Sequence, residues 1–157
     1  MRKTMPNLRL AALLAAGLLA TADAASAADK TVYQRPREVV AANLPFSETT
    51  EVGNILYISG SVGHLPGQPK LVEGGFAAET SQAMDNIGAT LKSRGLGFDD
   101  LFKCTVFLTD IKNWAEFNKI YMSYFKPERL PSRSAVGVAG LALNAAVEVE
   151  CWANTAH

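Results

Sequence analysis

The chain predicts an α+β domain: a single mixed β-sheet with two helices packed on one face. Three observations carry that prediction. Strand-like and helix-like segments are mixed in the order ββ-α-β-α-ββ. Two segments keep apolar residues at helical spacing and end at breakers, Gly95 and Pro127. Once an N-terminal segment of 27 residues is set aside, 130 of the 157 residues remain. That is one domain's worth, enough to bury a core without a metal or disulfides.

The N-terminal segment reads as a secretory signal peptide. Arg2, Lys3 and Arg9 form a positive region, and Leu10 to Ala20 is an apolar run of eleven residues. Ala22-Asp23-Ala24 and Ala25-Ser26-Ala27 are both A-x-A cleavage signals, so cleavage is expected near 24 or 27. The run is short of the roughly 20 apolar residues that span a bilayer as a helix. The expectation is a periplasmic or secreted domain, residues 28–157, free of the membrane after cleavage.

Residues 28–46 read as a tail and a first extended segment, because Pro36 and Pro45 argue against helix. Ser47–Glu51 and Ile55–Ser59 flank Val52-Gly53-Asn54, which predicts a hairpin. Gly60 to Gly75 is rich in Gly and Pro and reads as a loop. Phe76–Arg94 predicts a helix with Phe76, Ala83, Met84, Ile87 and Leu91 near one face. Gly88 within it points to a close approach that wants a small residue. Leu101–Leu108 is rich in β-branched and aromatic residues and predicts a strand. Asn113–Phe125 predicts a second helix with Trp114, Phe117, Tyr121, Tyr124 and Phe125 in one stripe. Ser132–Val138 and Ala146–Trp152 read as closing strands.

Charge bounds the partners. The chain has 15 basic and 15 acidic residues; removing Arg2, Lys3, Arg9 and Asp23 leaves 12 and 14, a net charge of −2. No basic field attracts nucleic acid. Cys104 and Cys151 both lie in apolar strand-like runs, where buried thiols are common, and that reading is preferred here. An exported chain can equally keep a bridge, and sequence alone leaves both open.

Most catalytic patterns are missing. The only histidines are His64 and His157, and no His/Cys/Asp set has metal-ligand spacing, so no metal site is expected. No nucleophile elbow, P-loop or dinucleotide-binding glycine pattern occurs. What stands out is charge on strands. Arg133 opens one closing strand; Glu148 and Glu150 share one face of the other. Asn118 lies at the edge of the aromatic stripe. Read plainly, Arg133 is a surface arginine or the ion-pair partner of Glu148, and Asn118 satisfies a nearby backbone group.

Several motifs resemble those of the RidA (YjgF-like) family, in family order. They are Val52-Gly53-Asn54-Ile55-Leu56-Tyr57-Ile58-Ser59-Gly60, Leu71-Val72-Glu73-Gly74-Gly75, Lys103-Cys104-Thr105-Val106-Phe107-Leu108-Thr109-Asp110, Phe117-Asn118-Lys119-Ile120-Tyr121, and Pro131 to Val138 followed by Val147-Glu148-Val149-Glu150. The resemblance spans about residues 43 to 153. It implies a chorismate-mutase-like fold, a homotrimer with a barrel-like core, and clefts between subunits that take small carboxylates. It also implies hydrolysis of reactive 2-imino acids to 2-keto acids and ammonia, without a cofactor. The family arginine falls on Arg133, whose planar fork suits a carboxylate. The family glutamate falls on Glu148, which would activate water. Asn118, Ser59, Gly60, Phe46 and Ala135 fall on the pocket lining.

Three positions depart from the family pattern. Phe46 stands where the family has a tyrosine, Ala135 where many members have a cysteine, and Ser61 where a glutamine follows the Ser-Gly pair. Phe46 removes a hydroxyl, and Ala135 excludes thiol chemistry at that position. An alternative reading is an exported module that binds small carboxylates and has lost catalysis. RNA cleavage, an older label of some members, has no electrostatic footprint here.

Overall fold

The computed structural model describes residues 30–156. The expected signal peptide, residues 1–27, and His157 lie outside the described residues. Among the described residues six strands and three α-helices follow in order. They are β1 (Val32–Gln34), α1 (Arg37–Ala41), β2 (Thr49–Val52), β3 (Ile55–Val62), α2 (Gly75–Ser93), β4 (Leu101–Leu108), α3 (Trp114–Met122), β5 (Ser132–Gly137) and β6 (Val147–Asn154). The strands form one sheet in the order β1-β2-β3-β6-β4-β5. All neighbours run antiparallel except β4 and β5. A parallel pair needs a crossover, and α3 supplies it.

Local sequence explains most elements. Val52 pairs with Ile55 across a two-residue turn, with Gly53 at a φ of 57°. Helix α2 buries Thr80, Ala83, Met84, Ile87, Thr90 and Leu91, one stripe at helical spacing. Gly95 ends it at a φ of 73°, and the Leu96 amide donates to the Leu91 carbonyl at 2.9 Å. Gly88 sits under a ring: a Cβ there would lie 3.0 Å from Cε2 of Phe98. The core lies between the helices and the sheet, where Met84, Ile87, Leu91 and Phe117 meet Leu56, Val106, Leu108, Val147 and Val149.

Five expectations are corrected. Residues 37–41 are helical although Pro36 argued against it; Pro36 stands just before the helix, where its carbonyl accepts from the Val40 amide at 3.0 Å and no amide of its own is missed. Helix α3 stops at Met122 and tightens, the Phe125 amide reaching back to the Met122 carbonyl at 3.3 Å. Trp114, at its first position, is 48% exposed and leaves the buried stripe to Phe117, Tyr121 and Phe125. Gly60 belongs to β3 rather than to the following loop.

The fifth correction concerns the cysteines. Cys104 and Cys151 are directly opposed on β4 and β6, with Cα atoms 4.1 Å apart, and are joined as a disulfide. Both are fully buried. The thiol reading fails because pairing register, invisible in either strand alone, places the two side chains face to face.

The face away from the helices is left apolar and partly open. Phe102, Val136 and Trp152 are 40%, 44% and 37% exposed. Trp152 packs edge-on against Tyr57, ring centroids 4.9 Å apart.

Candidate active site

Arg133 pairs with Cys104, whose side chain is in the helix-covered core, so Arg133 stands on the helix side of the sheet. There its guanidinium lies over two rings of α3, 4.8 Å from the Tyr121 centroid and 5.3 Å from that of Phe117. Its Nη2 donates to Oδ1 of Asn118 at 2.5 Å. That contact spends one of five guanidinium N–H groups and leaves the Asn118 amide free to donate. Ala135, two residues on, faces the same side and packs on the core. Asn118, Arg133 and Ala135 are therefore one group. The rings beneath Arg133 were missed as site residues. Their signal was in the sequence, since Phe117 and Tyr121 flank Asn118 within the aromatic stripe.

Glu148 alternates with the buried Val147 and Val149 and so stands on the other face. It pairs with Phe107 on β4 and Val62 on β3. The register of β3 shifts between Ile58 and Ser61, a bulge formed by Ser59 and Gly60. The bulge changes the parity of the strand. Leu56 and Ile58 face the helices before it, and Gly63 does so after it, since a Cβ there would meet the Glu79 backbone of α2 at 2.6 Å. Gly60 instead faces Glu148. A Cβ at Gly60 would come within 1.8 Å of Glu148 Oε1, so the carboxylate lies directly on this glycine. The Ser59 hydroxyl donates to the Ser47 carbonyl at 2.8 Å, tying the bulge to the segment that carries Phe46. Phe46 is 48% exposed and, with Arg35, Pro45 and Ser47, lines a groove of about 230 Å³. Gly60 and Glu148 are the second group, and the Ser59 hydrogen bond ties the segment carrying Phe46 to the bulge beside them.

Burial pushes the Glu148 carboxyl above its usual range, and Glu150 on the same face adds to the rise. Burial also pushes the Tyr121 phenol up to about 12, against the opposing pull of Arg133, so it stays neutral. Among the described residues no three His, Cys, Asp or Glu side chains converge as metal ligands. A larger cavity of about 680 Å³, lined by Asp99, Phe102, Arg129 and Asn154 among others, takes in none of the predicted site residues.

Arg133 and Glu148 cannot pair within one chain, because the sheet separates them. The ion-pair reading of these two residues is thereby removed. Gly60→Ala is expected to displace the Glu148 carboxylate, the far end of a flexible side chain. The melting temperature should change little, and a crystal structure of the variant beside a thermal melt checks both.

Fold and site together define a class: an α+β domain that offers an arginine on the helix side of its sheet and a shielded carboxylate on the other. Residues 36–155 match the family described as Endoribonuclease L-PSP, and the chain belongs to that family, the RidA (YjgF-like) family its motifs resemble. It is 44% identical over 107 residues to a RutC family protein of Aquifex aeolicus, covering 68% of this chain and 85% of that one. It is 41% identical over 109 residues to the 2-iminobutanoate/2-iminopropanoate deaminase of Mus musculus, covering 69% and 80%. The crystal structure of a Rid family protein from Yersinia pestis superposes with a TM-score of 0.68 at 38% identity, covering 71% and 88%.

Proposed function

We propose that this protein hydrolyses 2-imino acids to 2-keto acids and ammonia in clefts between copies of itself, with Glu148 of one copy and Arg133 of the next. The observation that carries the reading is the separation of the two groups by the sheet. Each copy presents half a site on each face, so a complete site needs a neighbour. The open apolar face at Phe102, Val136 and Trp152 supports self-association. A homotrimer, as the resemblance implies, closes three such clefts.

In this reading Arg133 grips the substrate carboxylate, oriented by Asn118. Glu148 takes a proton from water as the water oxygen bonds to the imine carbon. The C=N electron pair moves to nitrogen, which takes up the proton that Glu148 now holds. Glu148 then takes the hydroxyl proton and passes it to the amine as collapse to the carbonyl breaks the C–N bond and releases ammonia. Ser59, Gly60, Phe46 and Ala135 line the cleft. The N-terminal segment and the buried disulfide support an exported domain, periplasmic or secreted. The imine deaminases among its relatives favour turnover over a pure binding role.

The test generates 2-iminopropanoate in solution and follows its loss. Acceleration over water is expected, and Phe46→Tyr should raise it further by restoring a hydroxyl. Binding of 2-ketobutyrate with no turnover in either protein would instead favour the module that only binds.

The pH profile offers a second check. A general base works when deprotonated, so activity should rise with pH through the raised Glu148 titration. Glu150→Gln removes the neighbouring charge and should shift that acid limb to lower pH. An unmoved limb would mean that another group sets it.

A further inference from the structure

We infer that the stacked rings of Phe117 and Tyr121 are positioning residues that hold the Arg133 guanidinium in the plane needed to receive a carboxylate. This rests on the proposal that Arg133 binds the substrate carboxylate.

An arginine on a strand has four side-chain torsions, and bidentate capture of a carboxylate requires one plane and one edge. Three contacts set both here. The two rings are 5.5 Å apart at an interplanar angle of 29°, forming a tilted platform, and the guanidinium sits above both. The attraction of a cation to an aromatic face grows as water is removed, and both rings are buried. Asn118 Oδ1 then fixes rotation within the plane by taking one N–H. All three residues belong to one helix, Asn118 directly after Phe117 and Tyr121 one turn beyond it, so a single rigid element carries the whole cradle. Tyr121 is itself held in place, its ring 4.6 Å from that of Phe125. Its hydroxyl has no hydrogen-bond partner among the described residues. The ring, rather than the hydroxyl, is thus the part that serves Arg133.

The cradle works by removing alternatives. Without the rings the charge is still present, but the fork samples other planes and the substrate must select the right one. The expected loss is therefore in binding, not in the chemical step.

Tyr121→Met keeps an apolar filler without a π face, and Tyr121→Phe keeps the face without the hydroxyl. KM and kcat for 2-iminopropanoate, and the dissociation constants of 2-ketobutyrate and its neutral amide, are measured on full-length protein with melting curves alongside. Tyr121→Met should weaken 2-ketobutyrate and raise KM about tenfold, with kcat and amide binding nearly unchanged, the scale of one desolvated cation–π contact. Tyr121→Phe should bind like the parent protein. In an Arg133→Lys background, which lacks the planar fork, Tyr121→Met should add little further loss. Equal losses in both backgrounds, or equal weakening of acid and amide, would overturn the cradle while leaving Arg133 as the anion site. If Arg133→Lys itself leaves 2-ketobutyrate binding intact, the carboxylate reading falls and the cradle with it. Should Tyr121→Met not fold, Phe117→Leu with the same ligands decides in the same way.

Discussion

Subunits carrying Arg133→Ala, co-folded with subunits carrying Glu148→Gln, are expected to regain activity that neither has alone. Loss of Glu148, the proposed general base, should cost about 10²–10⁴-fold. Loss of the guanidinium, with its charged hydrogen bonds, should cost roughly 10- to 100-fold. In an equal mixture assembled at random, about one interface in four joins an intact arginine to an intact glutamate from the neighbour. Activity should therefore recover to about a quarter of the parent value. Arg133 stands with the buried Cys104, and Glu148 stands on the opposite face of the sheet. A mixture that performs no better than the average of its two components would mean that no cleft is shared between copies.

Loss of the Cys104–Cys151 bridge is expected to have the largest effect on stability. The bridge closes a loop spanning 47 positions. Chain-entropy arguments put the stabilisation from such a loop at about 4 kcal/mol. For a domain of this size that is a large part of the total, about 5–15 kcal/mol. A Cys104→Ala/Cys151→Ala variant should lose most of that amount in urea unfolding. Because both sulfurs are buried, mild reductant should leave the folded protein bridged and act only once it unfolds. Alkylation before and after denaturation, read as a mass shift, checks this. Free thiols in protein recovered from an oxidising compartment would count against the bridge and against the export reading it supports.

Much of the fold was legible because it is local. Val52-Gly53-Asn54 announces a hairpin on its own, and the α2 stripe with Gly95 beyond it announces a helix and its end. Gly88 announced a close approach, although not that the neighbour is Phe98. Alternation along β6 also put Glu148 and Glu150 on one face. Where the reading failed, the deciding contact was distant or conditional. Pro36 forbids a helix only from inside one; just ahead of α1 it is harmless. Trp114 fits the helical wheel, yet at the first position of α3 it faces water.

The site divides in the same way. Sequence by itself determined which residues carry charge on strands, which of them share a strand face, and the family they belong to. Only the tertiary structure decided how those faces relate. Strand order and the parallel pairing of β4 with β5 put Arg133 on the helix side, opposite Glu148. The bulge at Ser59 and Gly60 turns Gly60 toward the carboxylate. The register of β4 against β6 brings Cys104 to Cys151. The physical reason is common to all three: period-two alternation fixes sides within a strand, but pairing between strands far apart in sequence is set by the packing of the whole sheet.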